Sequence, residues 1–135
     1  MPRRVLDTCT LINHWRTKRR LWDRRPLTPR VAVKWARDLV RIQHTNAIVS
    51  PVYIEFVCGG TTKQEVELSR SFLDEFDIVD EGRILPEDWT EARRIAERVP
   101  RNARPRQLGD CLIRAICNRL HLDVLTDDTG FPQSH

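Results

Sequence analysis

A chain of 135 residues, 40% of them hydrophobic and carrying a formal net charge of +4, is long enough for one domain, 1–135, with a core of its own. That balance excludes a disordered chain, and no stretch reaches the roughly 18 apolar residues of a membrane helix. The N-terminus, Met-Pro-Arg-Arg-Val, has no apolar signal segment, so the sequence predicts a cytoplasmic protein with no membrane partner.

Arg4-Val5-Leu6 reads as a short buried strand. Thr8 can cap the helix after it, which carries Leu11, Ile12 and Trp15 at helical spacing. The basic, proline-containing stretch up to Pro29 reads as a loop. The next helix spans about 30–44, with Val33, Ala36, Leu39 and Val40 on one face. Ala47-Ile48-Val49 is the second strand. Ser50-Pro51 then opens a helix, with Ser as cap and Pro at the first helical position. That helix pauses at Gly59-Gly60 and another runs on through Phe72 and Phe76. Ile78-Val79 is a weak strand. Pro86 opens a helix striped with Trp89, Ala92, Ile95, Ala96 and Val99, and a Pro/Arg loop follows from Pro100 to Pro105. A strong helix covers about 108–120, and Val124-Leu125-Thr126 is the last strand. Short apolar strands alternating with amphipathic helices predict an α/β domain on a parallel sheet.

The positive charge is unevenly placed. Arg16, Lys18, Arg19, Arg20, Arg24, Arg25 and Arg30 form one basic block, and Arg98, Arg101, Arg104 and Arg106 a second. Two such blocks fit phosphate contacts, although each alone is also an ordinary solvated surface. Cys9, Cys58, Cys111 and Cys117 form no C-x-x-C pair and have no His at finger spacing, which argues against zinc and for buried thiols. Of the four tryptophans, Trp22 stands out by lying inside the basic stretch, where it is a candidate for stacking on a base. His14 reads as structural.

Four acids fall near the carboxyl ends of the predicted strands, where ligands of open α/β sheets collect. Asp7 follows the first strand, Glu55 lies on the first turns after the second, Asp110 opens the long C-terminal helix, and Asp127-Asp128 follow the last strand. Each has a plain alternative: a cap neighbour, a helix-dipole partner or a turn residue. Together, carboxylates at one edge require a compensating cation or protons. An all-oxygen site suits Mg²⁺ or Mn²⁺, ions that activate water and stabilise charge on a phosphodiester.

The blocks that carry these acids resemble the PIN-domain ribonucleases, and within them the VapC-like toxins of type II toxin-antitoxin systems. "VLDTCTLI" resembles the family's opening strand, with Asp7 as the first metal-site acid and Thr8 as its polar neighbour. "SPVYIEFVCG" resembles the second motif, with Glu55 as the acid. "GDCLIRAICNRLHLDVLTDDTGF" resembles the closing block, with Asp110 as the third acid and Thr126 and Asp128 as a Thr-x-Asp pair. The resemblance implies a three-layer α/β/α fold with a central parallel sheet of four or five strands. It implies a Mg²⁺- or Mn²⁺-dependent endoribonuclease in which Asp7, Glu55, Asp110 and Asp128 are catalytic and hold the metal. Thr8, Thr126 and Asp127 support them. It also implies a cognate antitoxin, and a homodimer remains open. Arg16 and Arg19 are the candidates for RNA phosphate contact.

Two other readings fit part of this pattern. A phosphoacceptor receiver domain also gathers acids at strand ends, but it needs a lysine near its last strand, and the only lysines are Lys18, Lys34 and Lys63. A non-catalytic nucleic-acid or partner-binding domain on the same scaffold would be marked by the loss of an acid, and none is missing.

Overall fold

Val5 and Leu6 are completely buried, which places the strand Arg4–Leu6 (β1) inside a four-stranded sheet rather than at its rim. The computed structural model describes residues 3–23, 25–98, 107–126 and 131–132. In chain order, β1 leads into the helices Thr8–Leu21 (α1) and Pro29–Gln43 (α2), then the strand Ala47–Ile48 (β2). The helices Ser50–Cys58 (α3) and Lys63–Leu73 (α4) precede the strand Asp77–Ile78 (β3). The helices Pro86–Glu97 (α5) and Leu108–Arg119 (α6) lead to the strand Asp123–Leu125 (β4).

The strand order is β3-β2-β1-β4, with every pairing parallel. Val5 pairs with Ala47 on one side and Val124 on the other, and Leu6 pairs with Leu125. From β1 the chain builds outward through β2 and β3, then returns to add β4 on the opposite side. The crevice between the ends of β1 and β4 is therefore the topological switch point of the sheet. Packing among α1, α2, α3 and α4, and between α5 and α6, completes a three-layer α/β/α arrangement.

An aromatic cluster locks the first four helices together. Trp15 meets Trp35, Phe56 and Phe72 edge-on at centroid distances of 5.1, 5.9 and 5.1 Å. Phe56 and Phe72 stack at 5.0 Å. Such edge and offset contacts add about 0.5–1.5 kcal/mol each beyond buried area. The cluster fixes the roll of α3 through Phe56, and so fixes where the adjacent Glu55 points.

Several details differ from the sequence reading. The cap of α1 is Asp7, whose carboxylate accepts from the Thr10 amide at 2.9 Å, while Thr8 is the first helical residue. An acceptor one position before the helix reaches the orphan amides best, and Asp supplies it. The basic stretch expected as a loop is helical as far as Leu21. Lys18, Arg19 and Arg20 form the last turn, where positive charge complements the helix dipole. Ser50 lies within α3 rather than capping it. Asp80, just beyond β3, accepts from the Ser50 amide at 2.9 Å and also from its hydroxyl. Cys111 and Cys117 are buried as expected, but Cys9 and Cys58 are exposed. Burial pushes the Cys117 thiol up to about 12. Trp22 packs edge-on against Trp35 at 5.8 Å and donates its indole N–H to the Arg25 carbonyl. Trp89 is the exposed tryptophan.

Candidate active site

Asp7 stands at the end of β1 and is only 2% exposed. Burial of a carboxylate calls for hydrogen bonds on both oxygens. One oxygen takes the Thr10 amide. The other accepts from the hydroxyl of Thr126, which directly follows β4. The Asp7 amide donates to the Leu125 carbonyl at 3.3 Å, so the ladder between β1 and β4 runs right up to the acid. Asp7 thus sits at the switch point, held in a single orientation by groups from both sides of the crevice.

Glu55 lies in the middle of α3, half-buried. Thr8 donates to its Oε1 at 2.6 Å. The residue next to Asp7 therefore holds the second acid, coupling the opening strand to α3. Asp80 secures the start of α3 from the β3 end. It is an acid at the same sheet edge that the strand-end argument could have found, because Ile78 and Val79 precede it as Val5 and Leu6 precede Asp7.

Asp110 is half-buried in the first turn of α6. Its neighbour Gly109 lies against Glu55: a Cβ built there would stand 2.7 Å from the Glu55 carboxyl carbon. Among the described residues, no three His, Cys, Asp or Glu side chains form a group that could hold a metal ion. Asp110 is thus near in fold but does not close a three-carboxylate cluster with Asp7 and Glu55. Asp127 and Asp128 lie outside the described residues. The described residues on either side are Thr126, which is half-buried, and Phe131 and Pro132, which are buried. Arg114 of α6 holds that far end, donating to the Pro132 carbonyl at 2.9 Å with its guanidinium 5.5 Å from the Phe131 ring.

The donor set is oxygen alone, which fits a hard cation and not zinc. Mg²⁺ commonly takes only about one or two carboxylates and completes its shell with water and substrate phosphate. Asp7 and Glu55, each oriented by a threonine hydroxyl, match that demand.

Arg16 and Arg19 are exposed on α1 and line a cavity of about 180 Å³ over Ile12, Trp15 and Phe56, with Glu65 and Ser69 opposite. Arg19 lies close enough to Glu65 to help lower that carboxyl below its usual value, after the larger effect of hydrogen bonds from Thr61. Arg101, Arg104 and Arg106 lie outside the described residues. His14 is structural, as read. Its Nε2 meets the Trp35 carbonyl at 2.8 Å, tying α1 to α2. Lys18 makes a second tie between these helices, through Asp38 at 3.0 Å.

Residues 4–134 match the model of the PIN domain family. The chain belongs to the PIN domain family. PIN domains are typically nucleases that use divalent metal ions. No curated protein and no solved structure matches the chain. Among the described residues no helix is long and apolar enough to cross a membrane. The opening acid of this PIN domain was legible because it follows a strand. The close approach of Gly109 to Glu55 is not legible in the sequence, because it depends on how near α6 comes to α3, which no local pattern reveals.

Proposed function

We propose that this PIN domain, a single domain over residues 1–135, is a Mg²⁺- or Mn²⁺-dependent endoribonuclease of the VapC-like toxin type, acting in the cytoplasm. The observation that carries the reading is the pair of threonine contacts, Thr126 to Asp7 and Thr8 to Glu55. Each hydroxyl spends its proton on one acid and fixes that carboxylate at the crevice. Preorganised ligands of this kind are what a metal site requires, and supporting groups commonly govern metal affinity.

Asp7 and Glu55 would hold the ion, with Asp110 and Asp128 as the further ligands that the family resemblance implies. Bound there, it would supply Lewis acidity and a lowered pKa for water at the scissile phosphodiester. The protein's own contribution is orientation. Thr126 fixes Asp7 across the switch point and Thr8 fixes Glu55, and Asp127 would contribute negative charge next to Asp128 in sequence. Arg16 and Arg19 would contact phosphates flanking the cut. By the rise of about 1.5 Å per residue, Arg16 is roughly 13 Å along α1 from Asp7. The partners that follow are RNA and a cognate antitoxin covering the acids, with a homodimer as a further assembly.

Sequencing of RNA ends after induced expression tests this reading. New ends at discrete sites are expected for the natural chain and none for Asp7→Asn. Identical ends from both would reject it. A non-catalytic nucleic-acid or partner-binding domain is the second reading, and the lack of a three-carboxylate group among the described residues favours it. Calorimetric titration with Mn²⁺ separates the two: binding lost in Asp7→Asn supports the nuclease, and no binding supports the binding module.

A further inference from the structure

We infer that Gly109 is a positioning residue for the Glu55 carboxylate, an inference that rests on the proposed metal site. Gly109 occupies the first turn of α6, where the residue's left-handed freedom has no use: among the described glycines only Gly82 has a positive φ. Glycine inside a helix is disfavoured relative to alanine. What the position demands is the absence of a side chain. A Cβ at 109 would lie 2.7 Å from Glu55 Cδ and 2.9 Å from Oε1, and closest of all to Oε2. Both carboxylate oxygens are therefore seated against the backbone of α6, with Oε1 also taking the Thr8 hydroxyl at 2.6 Å.

Glu55 is thus confined from two sides. Thr8 draws its carboxylate toward the end of β1, and the bare backbone at 109 receives it beside Asp110. The nearest atoms a Cβ at 109 would meet belong to the far end of a flexible glutamate, so the fold can yield by turning that carboxylate away. The consequence falls on the site and not on the core.

Gly109→Ala tests this, with Gly109→Ser as a second substitution adding the same Cβ. A crystal structure of the variant is expected to show the Thr8–Glu55 hydrogen bond broken. Retention of that bond overturns the inference. Mn²⁺ affinity measured by calorimetry is expected to fall by about 10–100-fold, the usual effect of losing a ligand's support, while the melting temperature is unchanged or higher. Affinity equal to the natural chain overturns the inference. Adding Glu55→Asp, one methylene shorter, to Gly109→Ala is expected to recover part of the affinity, and no recovery counts against it. If the natural chain binds no Mn²⁺, the proposed metal site fails, while the crystal comparison still decides where Gly109 lets Glu55 sit.

Discussion

The Thr126 hydroxyl donates to the Asp7 carboxylate across 119 positions of sequence, joining the ends of the two strands that flank the sheet's switch point. The contact exists because Leu6 pairs with Leu125, which sets the residues after each strand side by side. It constrains an acid that is already buried and already capping α1.

Thr126→Val keeps the side-chain shape and removes the donor. Metal affinity is expected to fall by about 10–100-fold, with a stability loss of about 0.5–1.5 kcal/mol. Mn²⁺ calorimetry and urea unfolding on the same preparation measure both. Affinity unchanged from the natural chain would remove Thr126 from the site.

Asp7 has two roles that different substitutions separate. Asn caps a helix about as well as Asp, whereas Ala costs about 0.5–2 kcal/mol. Asp7→Asn is expected to fold with near-natural stability and lose Mn²⁺ binding, while Asp7→Ala loses both. Thermal melts beside metal titrations check the pair. Equal destabilisation by both would show that the charge on Asp7, and not its cap, carries the helix start.

The two aspartates after β4 are expected to differ. Asp128→Asn should abolish RNA cleavage, and Asp127→Asn should only weaken it, as the Thr-x-Asp resemblance implies. Rates on one RNA substrate decide this. Equal loss from both would mean that the metal role is shared or misassigned.

Asp88 is 1% exposed and accepts from Arg119 of α6 at 2.7 and 3.0 Å and from the Leu85 amide at 2.8 Å. This pair ties the start of α5 to the end of α6. Arg119→Ala leaves a buried carboxylate short of its charged partner and is expected to cost about 1.5–3 kcal/mol, read as a lower urea midpoint at unchanged slope. A change within error would mean water replaces the guanidinium fully.

Burial lowers the pKa of His14, against an opposing effect from the Trp35 carbonyl. The unfolded chain therefore takes up this proton first as pH falls. Stability from this group is complete above about pH 6.5 and declines as pH drops from there through the lowered folded value. His14→Gln is expected to flatten that part of the stability-pH profile. An unchanged slope would show that His14 binds its proton equally well in the folded and unfolded states.

The order of strands and helices was legible because hydrophobic period and proline placement act locally. Pro29, Pro51 and Pro86 each mark a helix start in the structure. The acids at strand ends were legible for the same reason, since a strand that stops at a charge announces a sheet edge. The roles of neighbouring residues were not. Thr8 and Asp7 both have capping chemistry, and only the approach of α3 turns the Thr8 hydroxyl to Glu55. The long basic tail of α1 read as a loop because its charges hide the helical stripe. Gly109 and Asp80 act through contacts with α3 that depend on tertiary packing.

The most direct measurement is cleavage of a labelled RNA by the purified chain, with and without Mg²⁺ or Mn²⁺, beside Asp7→Asn. The expected result is discrete fragments that require the metal, vanish with a chelator and are absent with the variant. Equal cleavage by Asp7→Asn, or cleavage indifferent to the chelator, would contradict the account.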